Sequence, residues 1–94
     1  MELRGVQLTI SGRVQGVFFR KSTEARARAL GVLGYVQNLP DGKVFVDAQG
    51  SKEAVGLLVD FCHKGPPLAE VETVDVTDYV VALPGFTTFS IRRR

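Results

Sequence analysis

Cysteine is almost missing from this chain. Its one thiol, Cys62, excludes an internal disulfide and points to a reduced, cytoplasmic setting. Histidine is as scarce. The only one, His63, stands next to Cys62, and neither has further ligands at zinc spacing. Cys62 reads as a packing residue of a helix, and His63 as a favourable partner for that helix's C-terminal dipole. Asp41, Asp47 and Asp60 fall in a turn, a strand and a helix, so no carboxylate cluster for a metal is evident. A Ser/His/Asp arrangement is missing too. No apolar run is long enough to span a membrane, and Met1-Glu2-Leu3-Arg4 lacks the run of a signal peptide. Repeats, low-complexity tracts and linkers are also missing. The expectation is a single domain over 1–94, with no metal, no cofactor and no membrane partner.

What is present suits a folded protein. Hydrophobic residues make up 45% and charged residues 23% of 94, enough apolar side chains for one modest core. The net charge is +2, and part of it sits in Arg92-Arg93-Arg94. That tail has three readings: a solvated end, a basic rim that attracts anions, or a nucleic-acid contact.

Val6, Leu8 and Ile10 alternate with polar residues and predict a strand with one buried face. A glycine-bearing loop follows. Ser22 and Thr23 offer N-cap hydroxyls, Glu24 complements a helix start, and Gly31 and Gly34 end that helix. Tyr35–Leu39 and Lys43–Ala48 form a hairpin around Pro40-Asp41-Gly42. Ser51 caps a second helix with Ala54, Leu57, Leu58 and Phe61 as its core stripe, and Gly65-Pro66-Pro67 stops it. Val71, Val74 and Val76 mark a fourth strand, irregular between Val71 and Val74. Phe89 and Ile91 mark a last one.

This order predicts an α+β sandwich of ferredoxin-like βαββαβ type. Its sheet is antiparallel, with four to five strands, and two helices cover one face. A right-handed crossover then brings the ends of the first two strands to one sheet edge. Arg20 and Asn38, 18 residues apart, meet at that edge.

Gly12-Arg13-Val14-Gln15-Gly16-Val17-Phe18-Phe19-Arg20 joins the first strand to the first helix. Main-chain N–H groups in such a curl point at an anion, and a guanidinium closes it. Arg20 gives two parallel N–H donors and stays charged. Its other readings are a surface arginine or an ion pair with Glu24. The loop lacks the Gly-Lys-Ser/Thr ending of a nucleotide P-loop. Asn38 ends a strand, where asparagine is disfavoured. It either starts the following turn or orients a water or a substrate oxygen, and it cannot act as a strong base.

Taken together, Ile10–Arg20 and Gly34-Tyr35-Val36-Gln37-Asn38, with Gly42, Val44 and Gly50 and the late Phe89-Ser90-Ile91, resemble the two signatures of the acylphosphatase family. The resemblance covers essentially the whole chain. It implies a hydrolase that splits the carboxyl-phosphate bond of acylphosphates into carboxylate and inorganic phosphate, without a metal or a phosphoenzyme. By motif position, Arg20 and the backbone of Gln15, Gly16, Val17, Phe18 and Phe19 would bind phosphate, and Asn38 would position the attacking water. Tyr35 stands where the family more often has tryptophan. Phe18 occupies a position that varies in the family, where by the resemblance it would shape the entrance to the site.

Two other functions suit the same element order. One is an RNA-binding module, which would need aromatics on the central strands, where only Phe45 of the third strand offers one. The other is a non-catalytic anion sensor. A small-molecule acylphosphate, and not nucleic acid, is the expected partner.

Overall fold

The structure is a computed structural model that describes residues 2–82 and 85–93. Its elements are β1 (Leu3–Arg13), α1 (Phe19–Leu30), β2 (Leu33–Asn38), β3 (Val44–Ser51), α2 (Lys52–Lys64), β4 (Glu70–Tyr79) and β5 (Phe89–Ile91). They form one five-stranded sheet in the order β4-β1-β3-β2-β5. The helices pack on each other, α1 over β2 and β5, and α2 over β1, β3 and β4. This is the ferredoxin-like α+β arrangement expected from the element order.

Period-two patterning decides the faces. Val6, Leu8 and Ile10 of β1 meet Val44, Val46 and Ala48 of β3 and Val36 of β2 in a fully buried core. The polar residues between them look the other way. Gln7 donates to Asp47 at 3.1 Å on that open face, where Tyr79 also donates to Asp47.

The sheet is not wholly antiparallel, however. β3 runs antiparallel to both β1 and β2, but β5 pairs with β2 in parallel, Gly34 opposite Phe89 and Val36 opposite Ile91. The cause is where β4 ends. Its last residue, Tyr79, lies opposite Gly5, at the edge where β1 and β2 begin. The chain enters β5 from that same edge and so rises alongside β2. Gly34 N–H to Thr88 O and Arg92 N–H to Val36 O, both 2.9 Å, fasten the pair.

Three local expectations shift. α1 starts at Phe19, ahead of Ser22 and Thr23, and Thr23 is buried inside the helix instead of capping it. Gly34 does not end α1; Gly31 alone does, and Gly34 lies in β2 with φ 140°. A Cβ at Gly34 would stand 1.8 Å from the Asp47 carbonyl oxygen, so the close strand approach requires glycine there. The buried stripe of α2 is Val55, Leu58, Val59 and Cys62, while Leu57 is exposed and Ala54 and Phe61 only flank the core. Both stripes have helical spacing one residue apart and share Leu58, and packing on the sheet buries the one that contains Val55, Val59 and Cys62.

The expected cap and stop of α2 and the irregularity of β4 are present, whereas Glu24 lies beyond the first turn of α1 and does not complement its start. Ser51 Oγ accepts from Ala54 N–H at 3.1 Å, and Gly65 caps the end of α2. The β1–β4 register shifts between Ser11 and Gly12, opposite Thr73 and Val71. Among the described residues, no helix is long and apolar enough to cross a membrane.

Candidate active site

The crossover from β1 through α1 to β2 leaves the C-terminal ends of both strands at one sheet edge, with β3 between them. The parallel β5 ends at the same edge. A cavity of about 420 Å³ opens there. Gly16, Phe18, Phe19 and Arg20 line it from the loop and the start of α1, and Asn38 lines it from β2. Sequence-predicted residues 18 positions apart are therefore brought together. Gln15 and Val17 belong to the same loop but do not line the cavity: Val17 is buried and Gln15 half-buried.

The loop is built to leave its donors free. Gly16 takes φ 75°, which glycine adopts without strain. Phe18 takes φ 65°, the one non-glycine residue with positive φ among those described. For a bulky side chain this costs on the order of 1 kcal/mol, a strain typical of functional loops. The helical ladder begins only when Ser22 N–H donates to Phe18 O at 3.0 Å. Among the described residues, no protein acceptor takes the main-chain N–H groups of Gln15 to Lys21.

The start of α1 agrees with this. No side chain caps it, and its first turn contains no acidic residue. Instead Arg20 and Lys21 sit there, where the helix dipole disfavours cations. An uncapped, doubly basic helix start suits an anion and little else. Arg20 makes no ion pair among the described residues, because Glu24 turns to Arg28 at 3.3 Å.

Asn38 is the last residue of β2, paired with Val44, and the turn begins after it, where Gly42 N–H donates to Leu39 O at 3.2 Å. Its side chain does not serve that turn. Asn38 Oδ1 is shielded and has no hydrogen-bond partner, a condition it shares only with Thr23 Oγ1 among the described residues. Unsatisfied buried acceptors are rare and call for a reason.

Several contributions escaped the sequence, the lining by Val14 and Lys21 among them. The side chain of Gln15 donates to Leu39 O at 2.9 Å and to Lys43 O at 2.8 Å, which ties the loop to the hairpin beyond Asn38. Ile91 and Arg93 reach the cavity from β5 and the residues after it. The alternation of Phe89, Ile91 and Arg93 hinted at a shared face, but the parallel pairing that aims it here is a tertiary feature.

The remaining candidates lie apart. Cys62 is fully buried, and burial pushes its thiol up to about 12. Among the described residues, no three of His, Cys, Asp and Glu gather as metal ligands would.

The likeness to known proteins is extensive. The acylphosphatase family model matches residues 6–91. An acylphosphatase of Rubrobacter xylanophilus is 53% identical over 77 residues, covering 82% of this chain and 70% of that protein. One of Anaeromyxobacter dehalogenans is 48% identical over 86 residues, covering 92% and 91%. The solved structure of an acylphosphatase from Coxiella burnetii superposes with a TM-score of 0.89 at 36% identity, covering 96% of this chain and 93% of that one. Both signature segments lie within the matched residues and meet at one cavity, and the chain belongs to the acylphosphatase family.

Proposed function

We propose that this cavity hydrolyses acylphosphates, with Arg20 and the Gln15–Phe19 backbone holding the phosphoryl group and Asn38 orienting the attacking water. One juxtaposition carries the reading. A loop of unused N–H donors beside a guanidinium shares a cavity with an asparagine whose Oδ1 is unpaired.

The chemistry asks for little more. An acylphosphate is a mixed anhydride with a good carboxylate leaving group, so water needs no strong base. It needs to stand in line behind phosphorus, and the phosphoryl oxygens need their charge balanced. Water drawn in beside Asn38 is oriented by its carboxamide. Its oxygen attacks phosphorus as the bond to the acyl oxygen breaks, and the carboxylate leaves with the electron pair. A phosphoryl oxygen takes the water proton. The Arg20 fork and the loop N–H groups stabilise charge on the equatorial oxygens.

In this reading the described chain supplies the positive charge itself and the reaction proceeds without a metal. Residues 1–94 act as one domain. A reducing cytoplasm suits the buried, unpaired Cys62 thiol. The test is hydrolysis of benzoyl phosphate in EDTA with inorganic phosphate as competitor. Competitive inhibition is expected, and Arg20→Ala should raise both KM and the phosphate Ki while lowering kcat. Turnover by Arg20→Ala at the parent rate and KM would sink the assignment.

A further inference from the structure

The cavity is more basic than one phosphoryl group requires. Arg20, Lys21 and Arg93 all line it, and no acidic side chain does. Arg20 and Lys21 come from the start of α1, whereas Arg93 comes from the residues after β5. The cations therefore approach from two different elements.

The placement of Arg93 follows from strand alternation. Past β5 the chain stays extended enough for Arg92 N–H to bond Val36 O at 2.9 Å. Successive side chains then point to opposite sides. Ile91 lines the cavity, Arg92 stacks over the Tyr35 ring at 3.6 Å, and Arg93 lines the cavity again. Arg92 is thus engaged. Arg93 makes no ion pair among the described residues.

From this we infer that Arg93 is a specificity-determining residue that binds a carboxylate on the acyl group, so that the favoured substrates are monoacyl phosphates of short dicarboxylic acids. The inference rests on the reading that Arg20 and the loop hold the phosphoryl group. A cavity of about 420 Å³ is in the range that takes a whole small molecule, not a phosphate alone. With the phosphoryl group at Arg20, the acyl chain extends past the apolar Ile91 side, and its far end meets Arg93. One guanidinium fork matches the two oxygens and single charge of a carboxylate. A second phosphate would call for more donors, such as the run of N–H groups that serves the first.

Succinyl phosphate and butyryl phosphate test this directly. Both acyl groups have four carbons, and they differ in ending on a carboxylate or a methyl. At low ionic strength the wild-type kcat/KM for succinyl phosphate should exceed that for butyryl phosphate roughly three- to ten-fold. Arg93→Gln should bring the ratio close to one and leave butyryl phosphate within about twofold of wild type. Arg92→Gln removes the same charge from the opposite side and should leave the ratio unchanged, which separates local binding from the field of the whole protein. A wild-type ratio near one, an unchanged ratio in Arg93→Gln, or an equal loss on both substrates would overturn the inference. The underlying reading fails in a different way, by Arg20→Ala keeping full activity on butyryl phosphate.

Discussion

Gln15 reaches across to Leu39: its Nε2 donates to the Leu39 carbonyl at 2.9 Å and, from the same nitrogen, to the Lys43 carbonyl at 2.8 Å. The loop after β1 is thereby locked to the turn that follows Asn38. The two halves of the site come from separate elements, and this side chain sets their spacing.

Replacing Gln15 should therefore uncouple the halves without emptying either. Leu39 O keeps its bond from Gly42 N–H, and Lys43 O keeps its bond from Leu39 N–H. Gln15→Leu should then lower stability by only about 1 kcal/mol. Misplacement of water against phosphorus should lower kcat roughly tenfold. The phosphate Ki should shift less than kcat, because the loop N–H groups remain. Urea melts and steady-state kinetics with benzoyl phosphate check both.

Asn38 should show activity and stability pulling apart. Its Oδ1 is buried and unpaired in the free chain. Asn38→Ala removes that unsatisfied acceptor, so the thermal midpoint should stay level or rise. The kcat should fall on the order of 100-fold, since the lost contribution is one of positioning in the transition state. A clear drop in midpoint would show that Asn38 is structural.

Cys62 should be inert in the native state. The thiolate is the form that alkylates, and burial holds the thiol up to about 12. Iodoacetamide at pH 8 should leave the folded protein unmodified and label it in guanidinium, as mass spectrometry would read.

Tyr79 makes stability fall at high pH. Burial first, and then its hydrogen bond to Asp47, push the phenol up to about 12 from 10.0. The unfolded chain loses this proton at about 10, while the folded chain keeps it. Stability from this group is full below pH 10 and is lost as pH rises towards 12. Urea midpoints at pH 9, 10.5 and 11.5 should decline, and Tyr79→Phe should flatten the decline. At pH 8 that variant should be weaker by about 1–2 kcal/mol, because buried Asp47 loses a donor.

Much of this protein is local in origin, and the sequence by itself determined that much. Alternating apolar residues specify β1, Pro40-Asp41-Gly42 specifies the hairpin, Ser51 and Gly65 bound α2, and the loop glycine permits the left-handed turn at Gly16. The arrival of Arg20 and Asn38 at one edge follows from the handedness of a crossover, and the roles proposed for them follow from the likeness of their segments to the family signatures. Other features answer to partners distant in the chain. Which of two overlapping stripes of α2 is buried depends on what the sheet offers it. Gly34 is needed because the Asp47 carbonyl lies against it, not because a helix ends there. The cap sought at Ser22 and Thr23 is absent because α1 begins earlier, with its first N–H groups left open toward the cavity. The direction of β5 depends on the edge at which β4 ends, and that direction carries Arg93 to the site. Period and propensity act over a few residues. The loop's attachment through Gln15 and the second basic wall of the cavity were decided only by tertiary structure, because hydrogen bonds and charges act between groups wherever folding brings them together.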